Sequence, residues 1–569
     1  MKRAKAISIL LTCFMILTMI TACGSQQGSK SPNQDSASTS DLSTSKDKNN
    51  ASEDNGELVD GKFVEKKSIS VEVFDRGNDG GTPPEDNFYT DFIKEGMLRD
   101  HNVEVTFKIV PRWTEGEVLS NLLAANDAPD VCVTYSYPTI QTYANMGGVL
   151  DMAPYLEKNK DLLPDLWELL TDDNIYWNQD PEKGTIWAIE ARLFNNAGVR
   201  TFVREDWLKK LSMEEPESIE DFEQMLYKFK DNAEMLLGDD ADKMTPFSLS
   251  TDVGWRIMEL AHAFIPGDIT DRDRYIYGFD DRYLLYPNYK EAVRKINEWY
   301  NAGLVWKDFA LYDAGDTTEG NLMKSGYVGS YMHNSDDPYR NGEDGVQYNM
   351  QKLVAKDAAF KTVVSFKNDA GLYKKYLSAP VDRKVFFPAS NKEPVASLVY
   401  LDWISKLENR MFLQIGEEGS THEAMPDGSV KITAATDEKI MNSPNNIDYT
   451  ITINGLNLGD PEKTVQSLAQ GYAGVDPEYI TRTYDLSAYE VSYGKNAALG
   501  EIKAEEGMGT ALSEKRNNFL TQSIVASVDK FDEVFDTGMQ DYLNSGGQAI
   551  IDERKAAWEK VYSDKTMLD

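Results

Sequence analysis

Between Ser68 and Thr134 the hydrophobic period switches repeatedly between two and about 3.6 residues, and this alternation constrains the fold more than any other feature. Ser68-Ile69-Ser70-Val71-Glu72-Val73-Phe74 alternates at period two, then turns away through Asp75 to Gly81. A helical stretch around Phe88 to Leu98 leads to a second strand, Val103 to Val110. Glu117 to Ala125 then sets Val118, Leu119, Leu122 and Leu123 on one helical face, and Val131 to Thr134 forms a third strand. Strand-helix-strand-helix-strand order implies a parallel or mixed sheet covered by helices. Ligands of such sheets sit outside the carboxyl ends of strands, which directs attention to Asp75 and Arg76 and to Tyr135 and Tyr137.

The other end of the argument is the N-terminus. Lys2, Arg3 and Lys5 form a positive head, Ala6 to Ile20 an apolar run short for a membrane span, and Ile20-Thr21-Ala22-Cys23-Gly24-Ser25 closes it. The pattern resembles a bacterial lipoprotein signal peptide with its lipobox; an ordinary secretory signal or a short anchor helix is the alternative. The resemblance implies removal of residues 1–22 and lipidation (palmitate-type diacylation) of Cys23. From Gly24 to about Asp60 there is no aromatic residue, so this stretch cannot bury enough apolar surface to offset its ordering entropy. We read residues 23–66 as a disordered, lipid-anchored linker, with an r.m.s. reach of about 35 Å for roughly 40 residues.

Past Cys23 no apolar run approaches 18 residues. The formal net charge of −35 becomes −38 once the three leader cations are gone, which argues against nucleic acid and against broad adhesion to anionic lipid. Of three cysteines, Cys13 leaves with the leader, Cys23 takes the lipid, and Cys132 sits in an apolar strand as a packing residue, so no intramolecular disulfide is expected.

Several ordered motifs carry a family resemblance from about Ser68 to the end. Leu122-Leu123-Ala124-Ala125-Asn126-Asp127-Ala128-Pro129-Asp130-Val131 is similar to the L-x-S-G-D-x-P-D-V signature of family 1 extracellular solute-binding proteins, with Asn126 in place of the usual Gly. Thr185 to Ile189, Phe202 to Leu211 and Pro216 to Phe222 resemble the family's next blocks, except that Glu190 replaces a Pro. Lys324 to Tyr331, Gln414 to Glu423 and the Gly547 to Tyr562 helix extend the likeness. The Glu-Gly-x-His block resembles the LplA/YtcQ-like branch, associated with oligosaccharide uptake in Gram-positive bacteria. The resemblance implies an α/β, two-lobed periplasmic-binding-protein-like fold of type II, each lobe a mixed sheet flanked by helices with the ligand cleft between them.

Most of these motifs read as structure. Ser218 to Asp221 is a capping box, and Ile219, Phe222, Leu226 and Phe229 form a core stripe. Trp207, Trp299, Trp403 and Trp558 are assigned to cores. Other aromatics stand where a loop follows a strand or precedes a crossing: Tyr135, Tyr137, Trp177, Trp187, Trp255, Tyr331 and His333. Sugars offer an apolar face for stacking and a rim of hydroxyls, and Asp75, Arg76, Asp252, Asn334, Asp336 and Glu418 are candidates for that rim.

Catalytic signatures are missing. His422-Glu423-Ala424-Met425-Pro426 starts like H-E-x-x-H and lacks the second His, and neither a G-x-S-x-G elbow nor a phosphate-binding G-x-x-x-x-G-K-[ST] occurs. Asp268, Asp271 and Asp273 are the one weak calcium candidate; Arg272 and Arg274 intervene, and a solvated acidic loop is the preferred reading. We therefore expect no cofactor and no enzyme.

The expected architecture places residues 67–190 and 376–435 in lobe 1 and 191–375 and 436–569 in lobe 2, with crossings near Trp187 to Arg204 and Ala379 to Phe387. The expected role is a monomeric receptor on the outer face of the cell membrane that captures a carbohydrate and passes it to ABC permease subunits. A lipid-anchored carbohydrate-active enzyme and a peptide receptor or adhesin are the rivals. Cys23→Ala should release the protein from the membrane fraction or leave an unprocessed precursor; normal processing with unchanged fractionation would exclude the lipid anchor.

Overall fold

Strand β3 (Lys67–Asp75) is buried on both faces from Val71 to Phe74, as a strand inside a parallel sheet should be. It runs parallel to β4 (Val103–Pro111) along its whole length. Its other edge meets the third strand through Val71 and Val131, with Glu72 N donating to Val131 O at 2.9 Å. A computed structural model describes residues 58–568 except 78–81, 195–196, 313–315, 374–376, 378, 434–438, 473, 491–492, 498, 501 and 564. The leader, Cys23 and the linker up to residue 57 lie outside the described residues.

The third strand, β5 (Cys132–Thr134), continues into a sheet of order β14-β6-β11-β5, with β6 at Ile189–Leu193, β11 at Val381–Phe386 and β14 at Ile453–Asn454. Helices Phe88–His101, Pro164–Ile175 and Pro394–Ser405 close over this first core. Gly96 lets two of them meet, since a Cβ there would lie 2.2 Å from the Trp403 ring. A second sheet has the order β10-β7-β9-β8, from β7 (Val199–Arg204), β8 (Thr245–Ser248), β9 (Val328–Asn334) and β10 (Phe360–Thr362). Its core gathers Trp207, Phe222, Phe247 and Trp299 with the C-terminal helices Gly509–Val525, Phe531–Tyr542 and Gln548–Tyr562. Two small hairpins complete the strand set, β1 (Leu58–Val59) with β2 (Lys62–Phe63), and β12 (His422–Ala424) with β13 (Val430–Ile432).

The expected two-lobed α/β architecture is the one observed, and its boundaries differ in two places. Phe63 is buried in the first core, so order begins before residue 66. Tyr449, Ile451 and Ile453 also belong to the first core and β14 pairs with β6, so the first lobe extends past 435 to about residue 455. Period-based reading misses β14 because two residues cannot display a period.

The chain passes between lobes three times, and the strands that feed the passages are neighbours. Ile189 pairs with Val385 across β6 and β11, Leu193 N donates to Pro380 O at 3.1 Å, and Phe194 N to Asn454 O at 2.8 Å. Glu190, at the position where the family pattern has Pro, is buried against Lys384 (3.5 Å) and accepts a 2.6 Å hydrogen bond from Asn178. It therefore fastens the first passage to the second.

Buried carboxylates held by arginines root these strands. On the second lobe the Arg200 guanidinium grips Glu490 at 2.6 and 3.2 Å, and Ser365 Oγ reaches both Glu259 (2.6 Å) and Glu490 (2.9 Å). On the first lobe Arg76 holds Asp448 at 2.7 and 2.8 Å, while Arg383 lies 3.8 Å from the same carboxylate and donates to Ile453 O.

The four tryptophans assigned to cores are all buried. Cys132 is also buried, its Sγ against Pro129 O at 3.2 Å, and burial pushes its thiol well above the usual range. Ser218 caps its helix by accepting from Asp221 N, but the Asp221 carboxylate receives the Ser218 hydroxyl, so the reciprocal half of the box is absent. Asp271 lies 3.2 Å from Arg274, and Asp273 accepts the Thr270 hydroxyl at a helix start. Among the described residues no group of three or more His, Cys, Asp or Glu is placed to hold a metal ion.

Glu72 yields a pH-dependent prediction. Burial, opposed by the Val133 N–H and reinforced by the Glu115 charge, pushes its carboxyl up to about 8. The folded state then holds a proton that the unfolded chain releases above about 4.5, so stability should fall as pH rises from about 4.5 to 8, by at most roughly 1.4 kcal/mol per pH unit. Denaturant titrations of wild type and Glu72→Gln at pH 5 and pH 8 should show the variant gaining on the wild type with rising pH. A constant difference would mean that Glu72 is ionised in the fold.

Candidate functional site

Parallel strand ends build the site. In the second lobe β8 is parallel to β9, and the segment 304–306 adds a parallel edge to β8, with Phe247 N donating to Leu304 O and Trp306 N to Phe247 O. The carboxyl ends of these segments deliver Asp252 and Trp255, Trp306, and His333 with Asp337 to a cavity of about 400 Å³. Two further cavities, of about 550 and 560 Å³, follow in series: Asp252 joins the first to the second, and Arg282, Ser513, Glu514 and Arg516 join the second to the third. They form one groove along the second lobe. Its far end also touches Pro138, which comes from the first lobe.

The groove mixes ring faces with fixed charges. Trp306 and Tyr312 are stacked at 5.4 Å with 6° between planes, and Trp255 meets the His333 ring edge-on at 4.7 Å. Asp337 is the electrostatic centre. Tyr331 donates to it at 3.0 Å, His333 Nδ1 lies 2.9 Å away, and Arg340 pairs with it. Burial alone would raise its carboxyl, but the His333 contact and the charges of His333, Arg340 and Arg256 outweigh that and hold it below the usual range. Below it, Arg256 grips Glu319 at 2.7 and 2.8 Å and Ser248 donates to Glu319 at 2.7 Å, a rigid floor. At the middle of the groove Asn517 donates to Asp252 at 3.0 Å, and Arg516 pairs with Asp280 at 3.0 Å.

Of the residues singled out in the sequence, Asp252, Trp255 and His333 are brought together here. Tyr331 is fully buried and reaches the site only through Asp337, so it does not itself offer a face to a ligand. Asn334 is exposed at the end of β9, and Asp336 turns to Tyr472 at 3.3 Å, leaving the neighbouring Asp337 to line the cavity.

The first-lobe candidates lie elsewhere. Asp75 accepts from Gly77 N, Arg76 is held by Asp448, and the Tyr135 ring is engaged by Arg112 at 4.1 Å. Tyr137 donates to Asn178 O at 3.2 Å, and with Trp187 it packs on a small core containing Ile140 and Phe386. Trp177 receives Asn496 Nδ2 on its carbonyl at 2.7 Å, a direct tie between lobes. Glu418 is exposed in a turn that Gly416 makes possible: its φ of +71° and the absence of a Cβ admit Thr421, whose hydroxyl closes on Ile415 O at 2.6 Å. The block Glu418-Gly419-Ser420-Thr421-His422, with two residues between Gly419 and His422, is thus accounted for by turn geometry.

Trp306, Tyr312, Asp337 and Arg340 were not anticipated. Leu304-Val305-Trp306 does carry the signal that selected the others, an aromatic directly after an apolar strand, compressed into three residues.

No protein-family model matches the chain, and no curated protein sequence matches it. Solved structures do. An HMO-binding, ABC-transporter-associated solute-binding protein from Bifidobacterium longum infantis is similar with a TM-score of 0.55 at 14% identity, over 88% of this chain and 100% of that one. The substrate-binding protein FusA of an S. pneumoniae ABC transporter, in complex with kestose, gives 0.53 at 14% identity over 88% and 100%. The alginate-binding protein AlgQ2 gives 0.52 at 15% identity over 87% and 98%. At these identities the likeness is one of fold, and it covers both lobes.

The depressed Asp337 carboxyl makes its contribution to stability present above about pH 4 and lost as pH falls through its folded value. Asp337→Asn should therefore destabilise the protein at pH 7, by about 1.5–3 kcal/mol for charge-assisted hydrogen bonds, and the gap should close under acid. Thermal melts of both proteins from pH 7 to pH 3 check this; a gap that widens toward pH 3 would contradict the assignment.

Proposed function

We propose that this protein is the lipid-anchored, extracellular substrate-binding component of an ABC importer, and that it captures an oligosaccharide between its lobes for delivery to membrane permease subunits. The observation that carries this reading is the groove: aromatic faces and charged groups at the carboxyl ends of parallel strands in one lobe, with Pro138 of the other lobe at its far end and three adjacent passages joining the lobes. Stacked rings suit the apolar faces of successive sugar units, and Asp252, Asp337 and Arg340 suit their hydroxyls. Neighbours of the same fold are described as binding HMO, kestose and alginate, which supports an oligosaccharide ligand. The LplA/YtcQ-like assignment rests on the sequence block around Gly416 to His422, and the anchor on Cys23.

The hydrolase reading has less support. A glycosidase requires a carboxylic acid kept protonated near neutrality. Asp316 and Asp337, the cavity carboxyls with shifted affinities, are both shifted downward, Asp316 by the side chain and backbone N–H of Thr318.

Closure about the three passages is part of the proposal, because a ligand contacted from both sides stabilises the closed arrangement. Calorimetry over kestose, nystose and HMO fractions should find a ligand that is returned uncut after prolonged incubation. Trp255→Ala should weaken its binding by about 1–3 kcal/mol. Small-angle scattering should show a smaller radius of gyration at saturation. Cleaved sugar would favour the enzyme; an unchanged scattering profile would reject closure.

A further inference from the structure

At 75% exposure, Trp113 is the most exposed large apolar side chain among the described residues, and packing does not explain it. It stands just past the carboxyl end of β4. Because β3 runs parallel to β4 and meets the approach to β5 in parallel, the ends of all three strands share one edge. Glu115, two residues on, accepts the Thr134 hydroxyl at 2.6 Å and Tyr135 N at 3.0 Å, which fastens the turn carrying Trp113 to the end of β5. Three residues beyond Tyr135, Pro138 lines the groove of the second lobe. A short chain of contacts therefore connects the exposed indole to the one first-lobe residue that borders the groove.

Arg112 organises this edge. Its guanidinium lies 4.1 Å from the Tyr135 ring, 5.3 Å from Phe74 and 5.5 Å from Trp113, and Glu115 holds it at 3.1 Å. Tyr135 is thus already engaged, while Trp113 stays exposed and is oriented by a cation that is itself tethered.

The geometry points to Trp113 as the first lobe's stacking platform, the ring on which a sugar unit held in the second-lobe groove is covered when the lobes come together. This rests on the oligosaccharide reading above and adds a residue and a role to it. The physical basis is that a flat, exposed indole presents an apolar face matched to the C–H face of a pyranose, and ordering it costs little because only two torsions are fixed.

The test uses the mature chain with a printed array of neutral oligosaccharides, followed by calorimetry on the strongest wild-type binder. Trp113→Ala should weaken that binding at least about tenfold, as truncation of an aromatic anchor does, and Trp113→Phe should recover part of it. The melting temperature of the unliganded protein should not change, because the side chain packs on little. At saturation the same sugar should protect the wild type from acrylamide quenching more than it protects Trp113→Phe, in which only the groove tryptophans Trp255 and Trp306 remain to be covered. Equal affinity of wild type and Trp113→Ala, or equal protection of wild type and Trp113→Phe at saturation, would overturn the role of Trp113 and leave the oligosaccharide reading standing. A wild type that binds nothing on the array would overturn the reading and the inference together.

Discussion

The pairing of Arg200 with Glu490, both wholly out of water, is the interaction on which the two-lobed arrangement rests. Removing such charges from solvent costs several kcal/mol each, and the cost is offset only where the geometry satisfies them. Here Arg200 engages both carboxylate oxygens, Ser365 donates through its backbone N–H and its hydroxyl, and Glu259 joins through Ser365 and Thr201. Residues 200, 365 and 490 come from three distant stretches of chain, and the first two stand next to passages between lobes. One cluster therefore fixes where separate segments enter the second lobe, and the Asp448 cluster with Arg76 and Arg383 does the same for the first.

This arrangement divides stiffness from pliancy. Strands β6, β11 and β14 hydrogen-bond to one another right up to the passages, so the first lobe is rigid as far as Phe194. The second lobe is rigid again from β7, which is buried along its whole length. Little chain lies between β6 and β7, and the lobes are also tied by direct contacts: Asn496 to the Trp177 carbonyl, Lys560 to Glu182, and the helix Pro461–Gln470, whose Leu468 packs with Ile415 and Val430 and whose Ser467 accepts from Val430 N at 2.9 Å. The proposed closure would turn about that short span while the groove floor of Arg256 and Glu319 keeps its shape.

Much of the fold was legible because long strands and amphipathic helices display their period. The strands from Lys67 and Val103, the capped helix after Ser218 and the core tryptophans all follow from spacing and side-chain chemistry. Short strands paired across hundreds of residues do not announce themselves, so β14 and the edge segment ending at Trp306 escaped. At the site, strand-end logic points to the end of β9 and the turn after β8, and the cavity there takes some of the side chains and not their neighbours. Tyr331 and His333 share a face of β9, yet only His333 is far enough along to reach the cavity. Asp336 and Asp337 are adjacent in a turn, and the backbone decides which of them faces inward. At the edge near Tyr135, the side chain that stays exposed is Trp113, to which no strand-end aromatic pattern points.

The helix Gly509–Val525 has a consequence for how the molecule comes into being. It supplies Ser513, Arg516 and Asn517 to the groove, and its last turn is capped from the other half of the lobe by the buried amide of Asn297, which donates to the carbonyls of Ser523, Ile524 and Ala526. Those partners are separated by 226 to 229 residues. Contacts so remote form only after a large loop has closed, so they belong to the late part of folding. Until the helix Gly509–Val525 docks, the apolar face that it covers in the second lobe stays open. The groove is therefore assembled from segments that meet only after that loop has closed.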